Sequence, residues 1–218
     1  MSRIQSFGIC VAAIIIIYFL MPGAPSKIMT NASGLANSFN QVGNSPSVLA
    51  AAAFPITSNK NGLAVMGPPT ITVEQIEAVL EKYNSPARGH GKEIYDLGVK
   101  YGINPAICLA FFIHESSAGS NLGWAGRKAD GTFTHNIGNI ICAGYATCYK
   151  GHRDYPSWTA GIEDWYRLIT REYIQGRGLS TIEEMLPIYC PVNDGCATDR
   201  YITLVNSMIN EWKQGKKP

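Results

Sequence analysis

One carboxylate in this chain stands where a carboxyl group can serve as an acid near neutral pH. Glu115 ends the run Pro105-Ala106-Ile107-Cys108-Leu109-Ala110-Phe111-Phe112-Ile113-His114, and Ser116-Ser117-Ala118-Gly119 follow it. Apolar neighbours disfavour the ionised form, and so does the negative end of a helix dipole. Both raise the pKa, as general acid catalysis requires. A glutamate at a helix end is more commonly a solvated one, so its meaning depends on the rest of the chain. Asp130, Asp154, Glu163 and Asp164 are the carboxylates further along that bear on it. Of these, Asp154 is best placed to oppose Glu115 across a cleft, and Asp164 fits a role bracing its own helix.

The element that carries Glu115 has clear ends. Asn104 can cap it, and Pro105 suits the first helical position, where a missing N–H costs nothing. Its apolar residues fall all round the axis, which predicts a buried helix rather than an amphipathic one. Two helices precede it. Thr72 caps the first, with Val73, Ile76, Val79, Leu80 and Tyr83 at helical spacing, and the second covers 91–100. After Glu115 the texture changes: 121–155 is rich in glycine and polar residues and predicts an irregular or β-hairpin lobe. Helices return at 158–173, capped by Ser157. A further one at 182–186 is capped by Thr181 and ended by Pro187. The last begins at Thr198 or Asp199, with Ile202, Val205, Ile209 and Trp212 on one face. The expected fold is therefore mainly α, with a small β-like lobe inserted after the acid-bearing helix and a cleft between them.

Ahead of this domain, expected at 71–213, the chain reads differently. Residues 1–22 hold an almost wholly apolar stretch with a solid Ile14-Ile15-Ile16-Ile17 block. That stretch is short for a full span and within reach of a signal-peptide core. A cleaved signal and an uncleaved membrane anchor are both open; the long isoleucine-rich core and the lack of an A-x-A site favour the anchor. Either reading puts the rest of the chain outside the cytoplasmic membrane. Residues 23–70, rich in Ser, Asn, Gly, Ala and Pro, read as a disordered linker.

Six cysteines are present. Cys142 and Cys148 flank one loop, and Cys190 and Cys196 another, which reads as two local disulfides of an exported domain. Three pairings are formally possible. A four-cysteine zinc site competes, although five residues between the members of each pair exceed the usual C-x₂₋₄-C spacing. Cys108 reads as a buried thiol. A formal net charge of +2 is too small to argue for nucleic acid. His114-Glu115 does not start H-E-x-x-H, because Ala118 stands where the second histidine would be, and no G-x-S-x-G, Walker A or Rossmann fingerprint occurs. No metal or cofactor is called for.

Several motifs now line up in order. Tyr101-Gly102-Ile103-Asn104-Pro105, followed by Leu109-Ala110-Phe111-Phe112-Ile113-His114-Glu115-Ser116-Ser117, resembles the catalytic-helix signature of bacterial glucosaminidases. These are cell-wall hydrolases of lysozyme-like fold, related in architecture to lytic transglycosylases. Asn136-Ile137-Gly138-Asn139-Ile140 resembles the Asn-x-Gly-Asn-Ile segment of that family. Tyr155-Pro156-Ser157-Trp158-Thr159-Ala160-Gly161-Ile162-Glu163-Asp164 resembles its Tyr-x-Ser-Trp-x-x-Gly-Ile-x-Asp helix start. Pro187-Ile188-Tyr189-Cys190-Pro191 resembles its Tyr-Ala-Pro loop, with Cys190 in place of Ala.

The resemblance implies that Glu115 protonates the glycosidic oxygen of a β-1,4-linked amino-sugar polymer such as peptidoglycan. It leaves the second catalytic group between Asp154, a water held by the lobe, and the substrate's own acetamido group or 6-hydroxyl. The last of these gives an anhydro product rather than hydrolysis. Asn136 and Asn139 are candidate sugar hydrogen-bonders, or turn residues. Tyr155, Trp158 and Tyr189 are candidate stacking faces, with core packing the competing role for Trp158. Ser117 is a further candidate substrate contact, and Ser116 and Ser117 can also orient Glu115 or end its helix. A monomer acting on peptidoglycan is expected, and a catalytically idle glycan-binding module on the same fold is the alternative.

Overall fold

The structure, a computed structural model, describes residues 62–216. The apolar N-terminal segment and most of the expected linker lie outside the described residues. Six helices and one two-stranded sheet make up the described part.

Helix α1 (Val73–Lys82) starts at a capping box: the Thr72 hydroxyl accepts from the Gln75 N–H, and the Gln75 side chain accepts from the Thr72 N–H. Helix α2 (Gly91–Tyr101) ends at Gly102 in the left-handed region. Helix α3 (Pro105–Ser116) begins at the expected Asn104 cap, whose side chain accepts from Ala106 N–H. Every residue of 105–113 is buried, so α3 is the central rod of the bundle, packed by α2 on one side and α6 on another. Just past it, Ser117, Ala118 and Gly119 all take positive φ (52°, 54° and 83°) and turn the chain sharply away. Ser85 holds that turn by donating its hydroxyl to the Ala118 carbonyl at 2.6 Å.

The lobe follows. Strands β1 (Cys148–Tyr149) and β2 (His152–Arg153) pair antiparallel, Cys148 opposite Arg153 and Tyr149 opposite His152. Single bridges join Arg127 to Phe133 and Ile141 to His152. Helix α4 (Trp158–Leu168) starts on the Ser157 cap and runs straight into a π-helical stretch, Ile169–Gln175. Helix α5 (Ile182–Tyr189) and helix α6 (Thr198–Lys213) complete the bundle. Disulfides join Cys142 to Cys148 and Cys190 to Cys196, so neither pair is free to form a zinc site. Cys108 is a buried thiol.

Two boundaries differ from expectation. Residues 62–70 belong to the fold rather than to a linker: Val65 is fully buried, Ala64 bridges Thr181, and Met66 bridges Ile103. These pairings are long-range, so a polar local composition conceals them. Pro187 does not end α5 either. It lies inside the helix, which reaches Tyr189. Pro187 removes one backbone bond, but burial of Tyr189 and the bond from Cys190 N–H to the Leu186 carbonyl carry the last turn past it.

Candidate active site

Glu115 is intermediate in exposure, so a substrate can reach it. Protein nonetheless surrounds its carboxyl closely. Tyr201, projecting from α6, donates its hydroxyl to Oε1 at 3.0 Å. Asn139, from the lobe, lies close enough for its side chain to favour the ionised carboxyl. Tyr189 of α5 and Tyr173 of the π-helical stretch lie close enough for the Glu115 charge to act on their hydroxyls. Four segments thus converge on the carboxylate that α3 carries.

Desolvation is the largest influence on it and raises its pKa to about 7, against the opposing effect of the Tyr201 and Asn139 side chains. No charged side chain is among the causes of that shift. His114, the nearest titratable neighbour in sequence, stacks on Tyr201 with ring centroids 3.5 Å apart. Burial, helped by Arg200, lowers its pKa to about 4. It is therefore neutral at pH 7 and adds no positive field that would pull the Glu115 proton off.

The aromatic wall has a simple origin. Phe111, one helical turn before Glu115, meets Trp165, Tyr189 and Tyr201 at 5.1–5.2 Å between centroids. Tyr201, Val205, Ile209 and Trp212 form the buried face of α6. Sequence reading began that stripe at Ile202, one residue late, and so missed Tyr201; its i, i+4, i+8 relation to Val205 and Ile209 is the signal that finds it. Tyr173 is buried on the same face as Ile169, four residues before it, and that helical spacing is the signal that finds it.

The lobe is tied to this wall at three points. Ser116 donates its hydroxyl to the Ile137 carbonyl at 2.8 Å. Gly138 packs where a Cβ would stand 2.9 Å from Trp165 Cδ1 and 3.3 Å from Phe112 Cε1, so only glycine allows the 136–140 turn to lie this close. Asn139, at φ 52°, follows and reaches Glu115.

The other expected site residues fall into different places. Asn136 is buried and fully occupied as a turn residue: its amide donates to the Ile140 and Arg153 carbonyls and accepts from Ile140 N–H. Tyr155 is 3% exposed and donates to Asp164 at 2.6 Å, and Tyr189 is 1% exposed, so neither ring presents a face to a sugar. Asp164 also pairs with Arg153, which fits the bracing role expected of it and extends it to the lobe. Trp158 is half-buried in an aromatic group with Trp124, Phe133 and His135. Ser117 caps α3, and its carbonyl accepts from the Ser120 hydroxyl. Asp154 lies in the lobe, paired with Lys128 at 2.7 Å. It is held by the lobe residues Lys128 and Thr147, whereas Glu115 is met by α6 and the 136–140 turn. No cluster able to hold a metal ion occurs among the described residues.

No family model and no curated protein sequence matches this chain. Solved structures do. Autolysin E of Staphylococcus aureus, in complex with the muropeptide NAM-L-Ala-D-iGlu, superimposes with a TM-score of 0.53 at 14% identity, over 70% of this chain and 71% of that one. A catalytic glutamate-to-alanine mutant of the same autolysin, in complex with the disaccharide NAG-NAM, gives the same values. The glycoside hydrolase domain of Salmonella typhimurium FlgJ, C-terminally truncated, matches at a TM-score of 0.42 and 20% identity, over 66% of this chain and 99% of that one. The likeness to autolysin E shows that this chain shares that protein's fold, here a mainly helical one with a small two-stranded sheet.

Proposed function

We propose that this protein is a glycosidase that cleaves the glycan strand of peptidoglycan, with Glu115 as its general acid. The observation that carries this reading is the Glu115 carboxyl: reachable from solvent, free of charged partners, and shifted to about pH 7 by burial. A carboxylic acid with that pKa is about half protonated at neutral pH and can give its proton to a glycosidic oxygen as the bond to the anomeric carbon breaks. The fold it shares with a muropeptide-binding autolysin supports the choice of substrate.

The oxocarbenium-like centre left behind is then captured. Water attacks in hydrolysis, losing its proton to a base. In the non-hydrolytic route the substrate's 6-hydroxyl closes on the same carbon and gives an anhydro end. Asp154 is our candidate for the second carboxylate, and Asn139, Ser117 and Trp158 are the candidate sugar contacts. Extracytoplasmic placement is supported by the two disulfides, and the apolar N-terminal segment is proposed as a membrane anchor.

Digestion of purified peptidoglycan by the full-length chain tests the reading, with mass spectrometry of the new chain ends. Soluble fragments from the wild type and none from Glu115→Gln are expected. A reducing N-acetylglucosamine end would identify an endo-β-N-acetylglucosaminidase, and an anhydro-muramyl end a lytic transglycosylase. A folded wild type that binds sacculi and releases nothing would replace the enzyme by a glycan-binding module. Full activity in Asp154→Asn would remove Asp154 from the mechanism.

A further inference from the structure

The lobe carries four cations with different surroundings. Lys128 pairs with Asp154, and Arg153 with Asp164. Lys150 is exposed, beside Tyr149, where water can satisfy it. Arg127 is the anomaly. It is half-buried, its guanidinium lies 5.2 Å from the Phe133 ring centroid, and its Nε is buried with no acceptor. Among the described residues no carboxylate pairs with it. Asp130, three positions on, is instead bonded by the hydroxyl and N–H of Thr132.

No protein acceptor takes any N–H of this permanently charged fork, and its terminal nitrogens, unlike the buried Nε, are open to an incoming acceptor. The fork is also preorganised. Arg127 and Phe133 form a β-bridge, so the guanidinium is held over the ring rather than swinging free. Phe133 in turn meets Trp158 at 5.7 Å, and Trp158 meets His135 at 5.0 Å. All three rings are partly open to solvent. His135 is four residues from Asn139, whose side chain acts on the Glu115 carboxyl, and the bond from Asn139 N–H to the Asn136 carbonyl folds the path between them, so the group lies on the same lobe segment that meets the acid.

We infer that Arg127, held over Phe133 beside Trp158 and His135, is a binding site for a carboxylate carried by the glycan strand, so that the lobe selects anionic, peptide-bearing strands over neutral amino-sugar polymers. The inference rests on the peptidoglycan reading above. The stem peptide of peptidoglycan carries free carboxylates, a planar bidentate match for a guanidinium. A homopolymer of N-acetylglucosamine carries none.

Binding, rather than cleavage, tests this. Full-length Glu115→Gln protein would be sedimented with purified sacculi, either native or with their carboxyl groups converted to amides. Adding Arg127→Gln is expected to raise the Kd for native sacculi about tenfold, the size of one charge-assisted hydrogen-bonded pair, with little change for amidated sacculi. Arg127→Lys, which keeps the charge and loses the fork, guards against a folding defect and should fall between. Equal weakening towards both kinds of sacculi by the lysine variant, or no weakening towards native sacculi by either variant, would overturn the role of Arg127 and leave the peptidoglycan reading standing. Failure of the Glu115→Gln parent to bind either kind would overturn the peptidoglycan reading itself.

Discussion

The helix that presents Glu115 and the lobe that reaches over to it are held by different forces. Around α3 the contacts are apolar: 105–113 is buried throughout, and Phe111 is ringed by Trp165, Tyr189 and Tyr201. Such packing is dense and tolerates no charge unless it is paired. The lobe has little apolar interior of its own. Its shape rests on side chains that bond backbone groups, with Asn136 satisfying Ile140 and Arg153, and Thr147 donating to the Asp154 carbonyl. Asp164 anchors the lobe to α4 through Arg153 and Tyr155. The apolar half supplies a low-dielectric seat for an acid, and the polar half supplies directional groups that can meet a sugar. Glu115 lies at the seam, which is why its pKa is set by both.

The largest effect should come from removing the group at that seam. Glu115→Gln is expected to lower glycan cleavage about 10²–10⁴-fold, the usual contribution of a general acid. The same change should stabilise the fold at alkaline pH. Glu115 has a folded-state pKa of about 7 against an ordinary value of 4.5. Between those pH values the folded state holds a proton that the unfolded chain has released, so wild-type stability falls as pH rises through this window. Gln carries no such penalty. The advantage of Glu115→Gln in chemical denaturation should grow from near zero at pH 4 to as much as about 3 kcal/mol at pH 8. A constant difference across that range would mean that the carboxylate is not buried, and the contrast between the two halves would lose its basis on the apolar side.

On the polar side the sharpest probe is Asp164. Its carboxylate takes the Tyr155 hydroxyl at 2.6 Å and the Arg153 guanidinium, both nearly buried. Asp164→Ala strands both donors and should cost about 3–5 kcal/mol in urea denaturation, the range for breaking a buried pair. Tyr155→Phe removes one of the bonds and should cost about 1 kcal/mol. A loss under about 1 kcal/mol for Asp164→Ala would show that apolar contacts hold the lobe after all.

That division also marks what could be read from the sequence. Helices α1, α2 and α3 were legible almost to the residue, because Thr72, Asn104, Pro105 and Gly102 are local signals acting within one turn. Glu115 was legible for the same reason: its apolar setting is written in the nine residues before it. The lobe was legible only as a change of texture. Asn136 cannot be told from a sugar ligand until Arg153, 17 residues on, is seen to supply its acceptor. Tyr155 and Tyr189 looked like stacking faces because nothing local reveals that Asp164 and Phe111 occupy them. The extended stretch 62–70 was hidden by its composition, since its bridges run to Ile103 and Thr181.

The smallest expected effect discriminates best, because Tyr201 belongs to the apolar half yet acts by a polar bond. Its ring is fully buried against Phe111 and stacked on His114, and its hydroxyl donates to Glu115 at 3.0 Å. That bond favours the ionised carboxylate and opposes the effect of burial. Removing it in Tyr201→Phe should raise the Glu115 pKa by about one unit, the equivalent of one hydrogen bond to a charged group. Activity requires the protonated acid, so the alkaline limb of the pH–rate profile should move upward from about pH 7 by the same amount. A fall in kcat at the plateau, with KM unchanged, would show that the hydroxyl also aims the carboxyl at the glycosidic oxygen. Carboxyl NMR titration of Glu115 in the two proteins separates the effects, because it reads the pKa without turnover. If the titration moves and the plateau does not, burial by the aromatic wall is sufficient to place the acid. If neither moves, the acid is governed from the lobe through Asn139, and the two halves of the site exchange the roles assigned to them.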